Sequence, residues 1–373
     1  MTALALAAAL LWLVALLLPW RAWSTRERLE PGPDEADERG AGEAVTALIP
    51  ARDEAASIRR TLESVLAQPD VVEAVVVDDG SSDATGEIAS SVGGVRVVLG
   101  AARPPGWSGK LWAQQQGLER IDTPRVLLLD ADIALAPGMV AALADKLERD
   151  GLDQVSIMAT LPTGSLPEKL MLPAFVFFFK QLYPFAWVNR ADRPVAAAAG
   201  GCVLVRREAL QRAGAFAAWK DALIDDCELA RRVQASGGRI WLGLSRGVVS
   251  LRRHPDLGSI LETVRRTAYV QLGRSPALLL AVCALMLLLF ALPPAALAIG
   301  VAAADPSLAA AGAAGWLLMA IAYRPQVSFQ RLAPAWALSL PAAGLLFLFA
   351  TLDSAARHHF GAGPGWKGRR YAG

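Results

Sequence analysis

The stretch RVLLLDAD, Arg125–Asp132, decides the fold that this sequence predicts. Four apolar residues run directly into two aspartates that are spaced two apart. Residues two apart in a strand point to the same side, so Asp130 and Asp132 would aim their carboxylates one way. Like charges that close repel unless a cation or a proton lies between them. Two interpretations stay open here: a site for Mg²⁺ or Mn²⁺, which favour oxygen ligands, or a strand that ends in solvated acids.

Further strand and helix patterns precede this stretch. The apolar runs Ala44–Ile49, Val72–Val77 and Val95–Leu99 predict strands, with Pro50 ending the first, and an apolar stripe over Ile58–Leu66 predicts a helix. Val and Leu runs that alternate with helices are typical of a Rossmann-like, mostly parallel α/β sheet covered on both faces. In such sheets, ligands bind beyond the carboxyl ends of the strands.

Acidic residues follow three of these strands. Asp53 comes after the first strand, Asp78 and Asp79 follow the second, and Asp130 and Asp132 follow the strand at Val126. A need for solubility does not readily explain three acidic clusters on one rim of a sheet. These acids are therefore candidates for binding a metal or a ligand at that rim.

The segment GWSGKLWAQQQGL, Gly106–Leu118, contains a glycine–lysine pair. It is not a phosphate loop of the familiar kind, because Pro104 replaces the required glycine and Leu111 replaces the Ser or Thr. Lys110 either reaches a phosphate near the rim or is an ordinary surface lysine.

Two further pairs stand out later in the chain. Gly200 and Gly201 precede another predicted strand, where glycines allow close approach of the backbone to a ligand or form a bulge. Asp225 and Asp226 lie at a predicted helix start. The helix dipole favours acids there, so capping alone would explain one of them.

Composition narrows the class of protein. The chain has 373 residues, enough for two or three domains, and a formal net charge of +2, which gives no reason to expect a nucleic-acid partner. Its three cysteines have no CxxC spacing, so neither a zinc site nor a disulfide framework is predicted.

Apolar segments at both ends predict membrane association. Residues 1–21 are a short apolar anchor with arginines after it rather than before it, unlike a cleaved signal peptide. The positive-inside rule then places the following domain in the cytoplasm. Residues 22–42 form a linker rich in charge, Pro and Gly.

The C-terminal third continues this pattern. Residues 259–275 predict an interfacial helix, and 276–352 about three transmembrane helices, near Pro276–Val301, Leu308–Tyr323 and Ala333–Leu352. A basic loop at 324–331 is expected in the cytoplasm. Three crossings put the tail, 353–373, outside, whereas its basic residues favour the inside. The two signals conflict.

The aromatic segment Leu166–Val188 is too polar for a simple span and too rich in Phe for a solvated helix. It predicts a helix in the membrane interface, the lining of an apolar acceptor pocket, or an ordinary core helix. The acceptor candidates are Phe175, Phe177, Phe178 and Tyr183.

Five motifs occur in a specific order over about Ala44–Ser250: ALIPARDE, VVVDDGSSD, LLLDAD, GGCVLVRREAL and IDDCELARRV. This order resembles that of family 2 glycosyltransferases with a GT-A fold. The segments GWSGKLWAQQQGL, AAAAGGC, PAFVFFFKQLYPF and GPGWKGRRY are similar to those of the hopene-associated glycosyltransferases of bacterial hopanoid clusters. The chain resembles more loosely the membrane glycosyltransferases that act on carotenoids and ceramide.

The resemblance implies a GT-A domain over 43–258, a nucleotide-diphosphate sugar donor such as a UDP-sugar, and a membrane lipid acceptor. It implies that Asp53 and Asp79 hold the nucleotide and that Asp78 supports the loop. Asp132 would coordinate Mg²⁺ or Mn²⁺, with Asp130 close to the ribose or sugar. The other donor-binding candidates are Pro50, Ala51, Lys110, Ala131, Gly200 and Gly201.

The resemblance also implies that Asp226 is the general base, with Asp225 as the second candidate. The enzyme would be a multi-pass protein of the bacterial inner membrane with a cytoplasmic catalytic domain. The QxxRW motif of many processive members is absent, since the corresponding region reads RRTAYVQLGR, Arg265–Arg274. A single transfer is therefore expected. His254 is either an extra metal ligand or a loop residue.

Rival interpretations fit less well. In a phosphoacceptor receiver domain the lysine follows the phosphorylated aspartate, but here Lys110 precedes Asp130. A nucleotidyltransferase needs a loop rich in Gly and Arg after the first strand, and the residues after Ile49 do not supply it. An inactive membrane scaffold that binds nucleotide or lipid stays open, as does a glycosyltransferase of the polyprenyl-phosphate or ceramide type.

Overall fold

The computed structural model describes residues 1–32 and 43–360, together with the backbone of two short strands, Gly365–Trp366 and Arg369–Arg370. Residues 33–42 of the predicted linker and residues 361–364, 367–368 and 371–373 of the predicted tail lie outside the described residues. The chain divides into two compact units. The sheet unit comprises residues 27–161 and 185–252, and the helical unit comprises residues 1–26, 162–184 and 253–373.

The sheet unit contains a mixed sheet of eight strands in the order β3-β2-β1-β4-β7-β6-β8-β5. Strands β1 to β4 are parallel neighbours, β6 is parallel to β8, and β7 runs antiparallel to both β4 and β6. The α/β fold with a mostly parallel sheet is therefore confirmed. The strands are β1 (Val45–Ala51), β2 (Val71–Asp78), β3 (Val95–Leu99), β4 (Arg125–Leu129), β5 (Ile133–Leu135), β6 (Gln154–Thr160), β7 (Cys202–Arg206) and β8 (Ile240–Ser250).

Strand β1 continues through Pro50 to Ala51, so the prediction that Pro50 ends it is wrong. The reason lies in the register. Pairing of β1 with β4 ends at Leu48 and Leu128, whereas pairing with β2 continues to Ala51 and Asp78. Beyond Leu48 no described strand pairs with β1 on the side of β4, so a residue without an N–H is tolerated there.

Helices pack on this sheet through small and apolar residues. The N-cap Ser108 begins helix α4, and its Oγ accepts a hydrogen bond from the Leu111 N–H. A Cβ at Gly117 would lie 2.2 Å from Leu48 Cδ1, so α4 contacts β1 more closely than an alanine would allow. The helices of this unit are α2 (Ile58–Leu66), α3 (Thr85–Ser90), α4 (Gly109–Leu118), α5 (Met139–Arg149), α7 (Phe185–Val188), α8 (Arg207–Arg212) and α9 (Asp225–Ala235).

The helical unit contains α1 (Thr2–Leu17), α6 (Leu166–Leu182), α10 (Leu257–Gln271), α11 (Pro276–Met286), α12 (Leu292–Ala302), α13 (Pro306–Phe329) and α14 (Leu340–Phe360). Three stretches, Pro276–Ala302, Pro306–Phe329 and Pro334–Phe360, are long and apolar enough to cross a membrane, and α1 is apolar but shorter. The expected loop at 324–331 is mostly the end of α13, because Pro325 is accommodated inside the helix.

A proline pair interrupts the first of these long stretches. Leu287–Ala291 forms a π-helical turn that ends two residues before Pro293. Pro293 has no N–H to donate to the Leu289 carbonyl four residues earlier. The indole Nε1 of Trp12, on α1, donates to that carbonyl at 3.1 Å. The interruption is therefore stabilised from outside its own helix.

Candidate functional site

Backbone hydrogen bonds bring the carboxyl ends of β1, β2 and β4 to one rim. The Asp79 N–H donates to the Ala51 carbonyl at 2.9 Å, which joins the ends of β2 and β1. The Asp130 N–H donates to the Gly201 carbonyl at 3.1 Å, so the glycine pair lies beside the end of β4. The rim expected from the sequence is thus formed by the described residues.

Lys110 connects two of the acidic groups. Its Nζ lies 2.8 Å from Asp130 Oδ1 and 3.3 Å from Asp225 Oδ2. Burial by itself would lower the pKa of the Lys110 ammonium, but Asp130 and Asp225 outweigh burial and raise it. Lys110 therefore carries its charge at the centre of an acidic cluster and is not an ordinary surface lysine.

Asp226 lies beside this lysine at the start of α9. Its Oδ2 accepts a hydrogen bond from the Gly200 N–H at 2.8 Å, and its Oδ1 accepts one from the Cys227 N–H at 2.8 Å. Burial raises the pKa of the Asp226 carboxyl to about 6, and the neighbouring Asp225 charge adds to the rise. Lys110 and the two backbone donors oppose it. The pKa of Asp226 thus lies well above that of an ordinary aspartate.

A larger residue at position 200 would be crowded by this approach. A Cβ there would lie 3.1 Å from Asp226 Cβ, 3.2 Å from Asp226 Oδ2 and 3.4 Å from Lys110 Nζ. At Gly201 the nearest atom would be Cδ1 of Ile133, at 3.2 Å, which is the flexible end of an apolar side chain. Gly200 thus lies close to two side chains of the cluster, and the predicted close approach of the glycine pair to a ligand stays a prediction.

A pocket borders this cluster. Its volume is about 270 Å³ when the space open to solvent is included. Trp219 is a lining residue that the sequence did not single out, and its indole N–H is buried without an acceptor among the residues that the structure describes. No sequence motif marks Trp219, which lies in the 3₁₀ turn Phe216–Trp219. The lining residues are Lys110, Leu111, Gln114, Leu128, Gly200, Val203, Phe216, Trp219, Asp225, Asp226 and Leu229.

Asp132 forms an ion pair with a different residue from the one that pairs with Asp130. Its Oδ2 accepts a hydrogen bond from Arg252 Nε at 2.7 Å, and Arg252 Nη2 donates to Glu54 Oε1 at 2.9 Å. Burial raises the pKa of the Asp132 carboxyl, and Arg252 opposes that rise. Arg252 and Glu54 were both missed by the sequence interpretation, although Glu54 follows Asp53 directly within the motif ALIPARDE.

Among the described residues, no group of three or more His, Cys, Asp or Glu side chains is arranged to hold a metal ion. The two carboxylates of the DAD motif nevertheless fit Mg²⁺ or Mn²⁺. Mg²⁺ is usually held by one or two carboxylates, with substrate phosphates and water completing its shell. Asp132 and Asp130 are the two carboxylates of the rim that could contribute to such a donor set.

Two of the acids expected at the donor site accept hydrogen bonds from the loop that follows β2. Asp53 has a positive φ of 51°, and its Oδ1 accepts hydrogen bonds from the N–H and the Oγ of Ser82. These bonds, the backbone one first, lower the pKa of Asp53. Asp78 Oδ1 accepts from the Ser81 N–H at 2.8 Å, so both acids hold this loop. The other predicted donor residues of the rim, Pro50, Ala51, Asp79 and Ala131, lie at the ends of β1, β2 and β4.

The predicted acceptor residues belong to the helical unit. Phe177 is fully buried, and its ring packs against those of Trp12 and Tyr323, which fits the alternative of a core helix at this position. Phe175 and Phe178 are half-buried, and the Tyr183 hydroxyl accepts a hydrogen bond from Gln271 at 2.6 Å. The acceptor role of these four residues stays a prediction.

His254, the other metal-ligand candidate, also belongs to the helical unit. Its backbone N–H donates to Glu168 Oε1 at 3.0 Å. The second carboxylate oxygen of Glu168 accepts from the N–H groups of Gly164 and Ser165 at the start of α6. The buried carboxylate of Glu168 therefore links the backbone at His254 to the N-terminus of α6.

Fold and sequence together define a class of protein. Residues 46–214 match the sequence profile described as Glycosyl transferase family 2. This match covers a little under half of the chain, and the sheet unit has the GT-A fold. The GT-A fold expected from the sequence is confirmed, and the profile match supports the expected glycosyltransferase class.

One similar protein is the 4,4'-diaponeurosporenoate glycosyltransferase of Staphylococcus aureus (strain USA300), which is 34% identical over 109 residues. The match covers 29% of this chain and 29% of that protein, so the chain spans under a third of the length of this curated relative. Among solved structures, the mannosyltransferase PcManGT from Pyrobaculum calidifontis, in complex with GDP-Man and Mn²⁺, is similar over 92% of this chain and 98% of that chain. At 22% identity and a TM-score of 0.55, this second likeness concerns the fold alone.

Proposed function

We propose that this protein is an inverting glycosyltransferase that moves one sugar from a nucleotide-diphosphate sugar to the hydroxyl of a membrane lipid. The observation that carries the proposal is the cluster at the pocket. There, the Lys110 ammonium lies within 3.3 Å of Asp130 and Asp225, and Asp226 has a pKa of about 6. A family 2 domain built around such a cluster supports group transfer better than simple binding.

Asp226 is the proposed general base. An inverting transfer is a single in-line displacement. The acceptor oxygen forms a bond to the anomeric carbon as the bond to the diphosphate breaks, and the hydroxyl proton goes to the base. A carboxylate with a pKa near the working pH suits this role. The two backbone N–H groups that bind Asp226 fix its orientation and leave each oxygen a further lone pair.

The remaining cluster residues bind and orient the donor in this proposal. Lys110, held between Asp130 and Asp225, places a positive charge where a diphosphate would carry negative charge. Asp132, with Asp130 beside it, would hold Mg²⁺ or Mn²⁺. A bound divalent cation would stabilise the charge of the departing diphosphate.

The donor and the acceptor are proposed from the composition of the chain and from the proteins that it is similar to. The similar mannosyltransferase was solved with GDP-Man and Mn²⁺, which supports a nucleotide sugar and a divalent cation, and we take UDP-sugars as the first donors to test. Three apolar helices and a carotenoid-acid glycosyltransferase as relative support a lipid acceptor. We propose a hopanoid as that lipid and a catalytic domain on the cytoplasmic side of a bacterial inner membrane.

The test has two parts. Purified protein in lipid is assayed against a panel of sugar nucleotides with Mg²⁺ and Mn²⁺, and the lipids of cells with and without the chain are compared by mass spectrometry. A lipid that gains the mass of one glycosyl unit only when the wild-type chain is present is the expected result. Metal-dependent binding of nucleotide without turnover of any donor would favour the scaffold interpretation.

The rate of transfer should fall on the acid side of pH 6. Because the base must be ionised and Asp226 has a pKa of about 6, the rate constant should drop about tenfold per pH unit well below that value. Asp225→Asn removes a like charge that raises this pKa, so the acid limb should move to lower pH. The measurement is kcat against pH for both proteins, with donor affinity measured separately at each pH. An acid limb that stays in place would contradict this assignment.

Gly200→Ala should lower the rate of transfer by up to about tenfold, because the new Cβ displaces the Asp226 carboxylate by a few tenths of an ångström. Donor affinity should change less. The matched control is Gly201→Ala, whose Cβ meets only the movable end of Ile133 and should leave the rate near wild type. Equal losses in the two variants would show that the approach at Gly200 has no special importance.

A further inference from the structure

The position of Arg252 is fixed by the backbone at the end of β8. Strand β5 pairs with β8 so that Ile133 faces Ser250, and the Leu251 N–H donates to the Asp132 carbonyl at 2.7 Å. These contacts place Arg252 beside Asp132 although 120 positions separate them in the sequence. The pairing therefore follows from the strand register and is not a chance encounter of two surface side chains.

The guanidinium spans two carboxylates. Arg252 Nε lies 2.7 Å from Asp132 Oδ2, and Arg252 Nη2 lies 2.9 Å from Glu54 Oε1. The side chains of Asp132 and Glu54 are 10% and 14% exposed, whereas that of Arg252 is 44% exposed. The guanidinium is thus more exposed to solvent than either of the two carboxylates that it contacts.

Each carboxylate of the DAD motif consequently has its own cation within the chain. Asp130 pairs with Lys110, and Asp132 pairs with Arg252. The repulsion between the two aspartates, which suggested a divalent ion on sequence grounds, is already compensated without one. A divalent ion that approaches Asp132 is repelled by the positive charge of the guanidinium held at Oδ2.

We propose that Arg252 is a positioning residue that occupies Asp132 when no donor is bound and transfers to the diphosphate when the donor and the divalent cation arrive together. This inference rests on the proposed function, in which Asp132 is a metal ligand. A guanidinium has a rigid fork of donors that matches diphosphate oxygens as well as carboxylates. Donor binding would therefore release Asp132 to the cation, and the two ligands would bind cooperatively.

The test measures binding and not turnover. Mn²⁺ is titrated into full-length protein in detergent, with free Mn²⁺ followed by electron paramagnetic resonance, in the absence and presence of UDP or GDP. The binding of Mn²⁺ to the nucleotide alone is subtracted. Wild-type protein should bind Mn²⁺ weakly alone and at least about fivefold more tightly with nucleotide, the low end of usual coupling between sites.

Arg252→Gln should bind Mn²⁺ alone more tightly than wild type by at least about fivefold and should lose most of the enhancement by nucleotide. The reason is that the competing charge is gone and Asp132, Glu54 and Asp130 stay behind. Arg252→Lys keeps a positive charge at Asp132 and should bind Mn²⁺ alone nearly as weakly as wild type. Thermal unfolding of each variant checks that the fold is retained.

The neighbouring arginine provides a matched control. Arg253 is 72% exposed, and its nearest acid is Glu168, so Arg253→Gln should titrate like wild type. Mn²⁺ affinity of Arg252→Gln that equals or falls below that of wild type would overturn the inference while leaving Asp132 as a ligand. If wild type and variants all fail to bind Mn²⁺ even with nucleotide, the metal role in the proposed function fails and the inference falls with it.

Discussion

Asp226→Asn is expected to lower the rate of sugar transfer by about 10²–10⁴-fold, the usual contribution of a positioned base. Donor affinity should stay near wild type. The amide has almost the same shape as the carboxylate, and its oxygen can still accept the hydrogen bond from the Gly200 N–H. It cannot accept the proton of the acceptor hydroxyl. The measurement is kcat for transfer, together with donor affinity by calorimetry.

The control for this variant is Asp225→Asn, which removes a neighbouring carboxylate that pairs with Lys110 but keeps the proposed base. It should retain most of the activity at pH 7. Wild-type turnover by Asp226→Asn would show that the base lies elsewhere, and Asp225 would then be the first candidate. Loss of donor binding and of transfer in equal measure would point to a damaged pocket.

Asp132→Asn is expected to weaken metal-dependent donor binding by at least about tenfold, since loss of even an outer partner of a metal site commonly has that effect. An amide oxygen is a poorer ligand for Mg²⁺ or Mn²⁺ than a carboxylate, and the charge of the site falls by one. The measurement is donor affinity over a series of Mn²⁺ concentrations.

Asp122→Asn is a suitable control, because the side chain of Asp122 is fully exposed in the same unit. It should leave both donor affinity and its dependence on Mn²⁺ unchanged. An Asp132→Asn protein whose donor binding depends on Mn²⁺ as in wild type would remove Asp132 from the metal site.

Local patterns predicted the half of the sheet that carries the acidic rim. Strand β4 is buried at every position, which is why RVLLL could be recognised, and the acids that follow it lie at its end as expected. The same holds for β2 and Asp78. These features depend on a few consecutive residues, so the sequence contains the necessary information locally.

The partners of these acids could not be predicted, because they come from distant parts of the chain. Strand β5 has only three residues and showed no pattern, yet its pairing with β8 brings Arg252 to Asp132. Lys110 meets Asp225 only because α4 and α9 begin near the same point. The sequence shows that Asp53 is acidic. It does not show that a carboxylate oxygen of Asp53 accepts a hydrogen bond from Ser82.

The hydrogen bond from Trp12 to the Leu289 carbonyl changes how the first helix should be regarded. A short apolar segment at the start of a chain is easily treated as a tether that could be exchanged for another. Here it supplies the donor that Pro293 lacks. Without it, a carbonyl in an apolar bundle would lose its partner, at about 1–3 kcal/mol. The first helix is thus part of the packed bundle, and any apolar helix exchanged for it would need a hydrogen-bond donor at the position of Trp12.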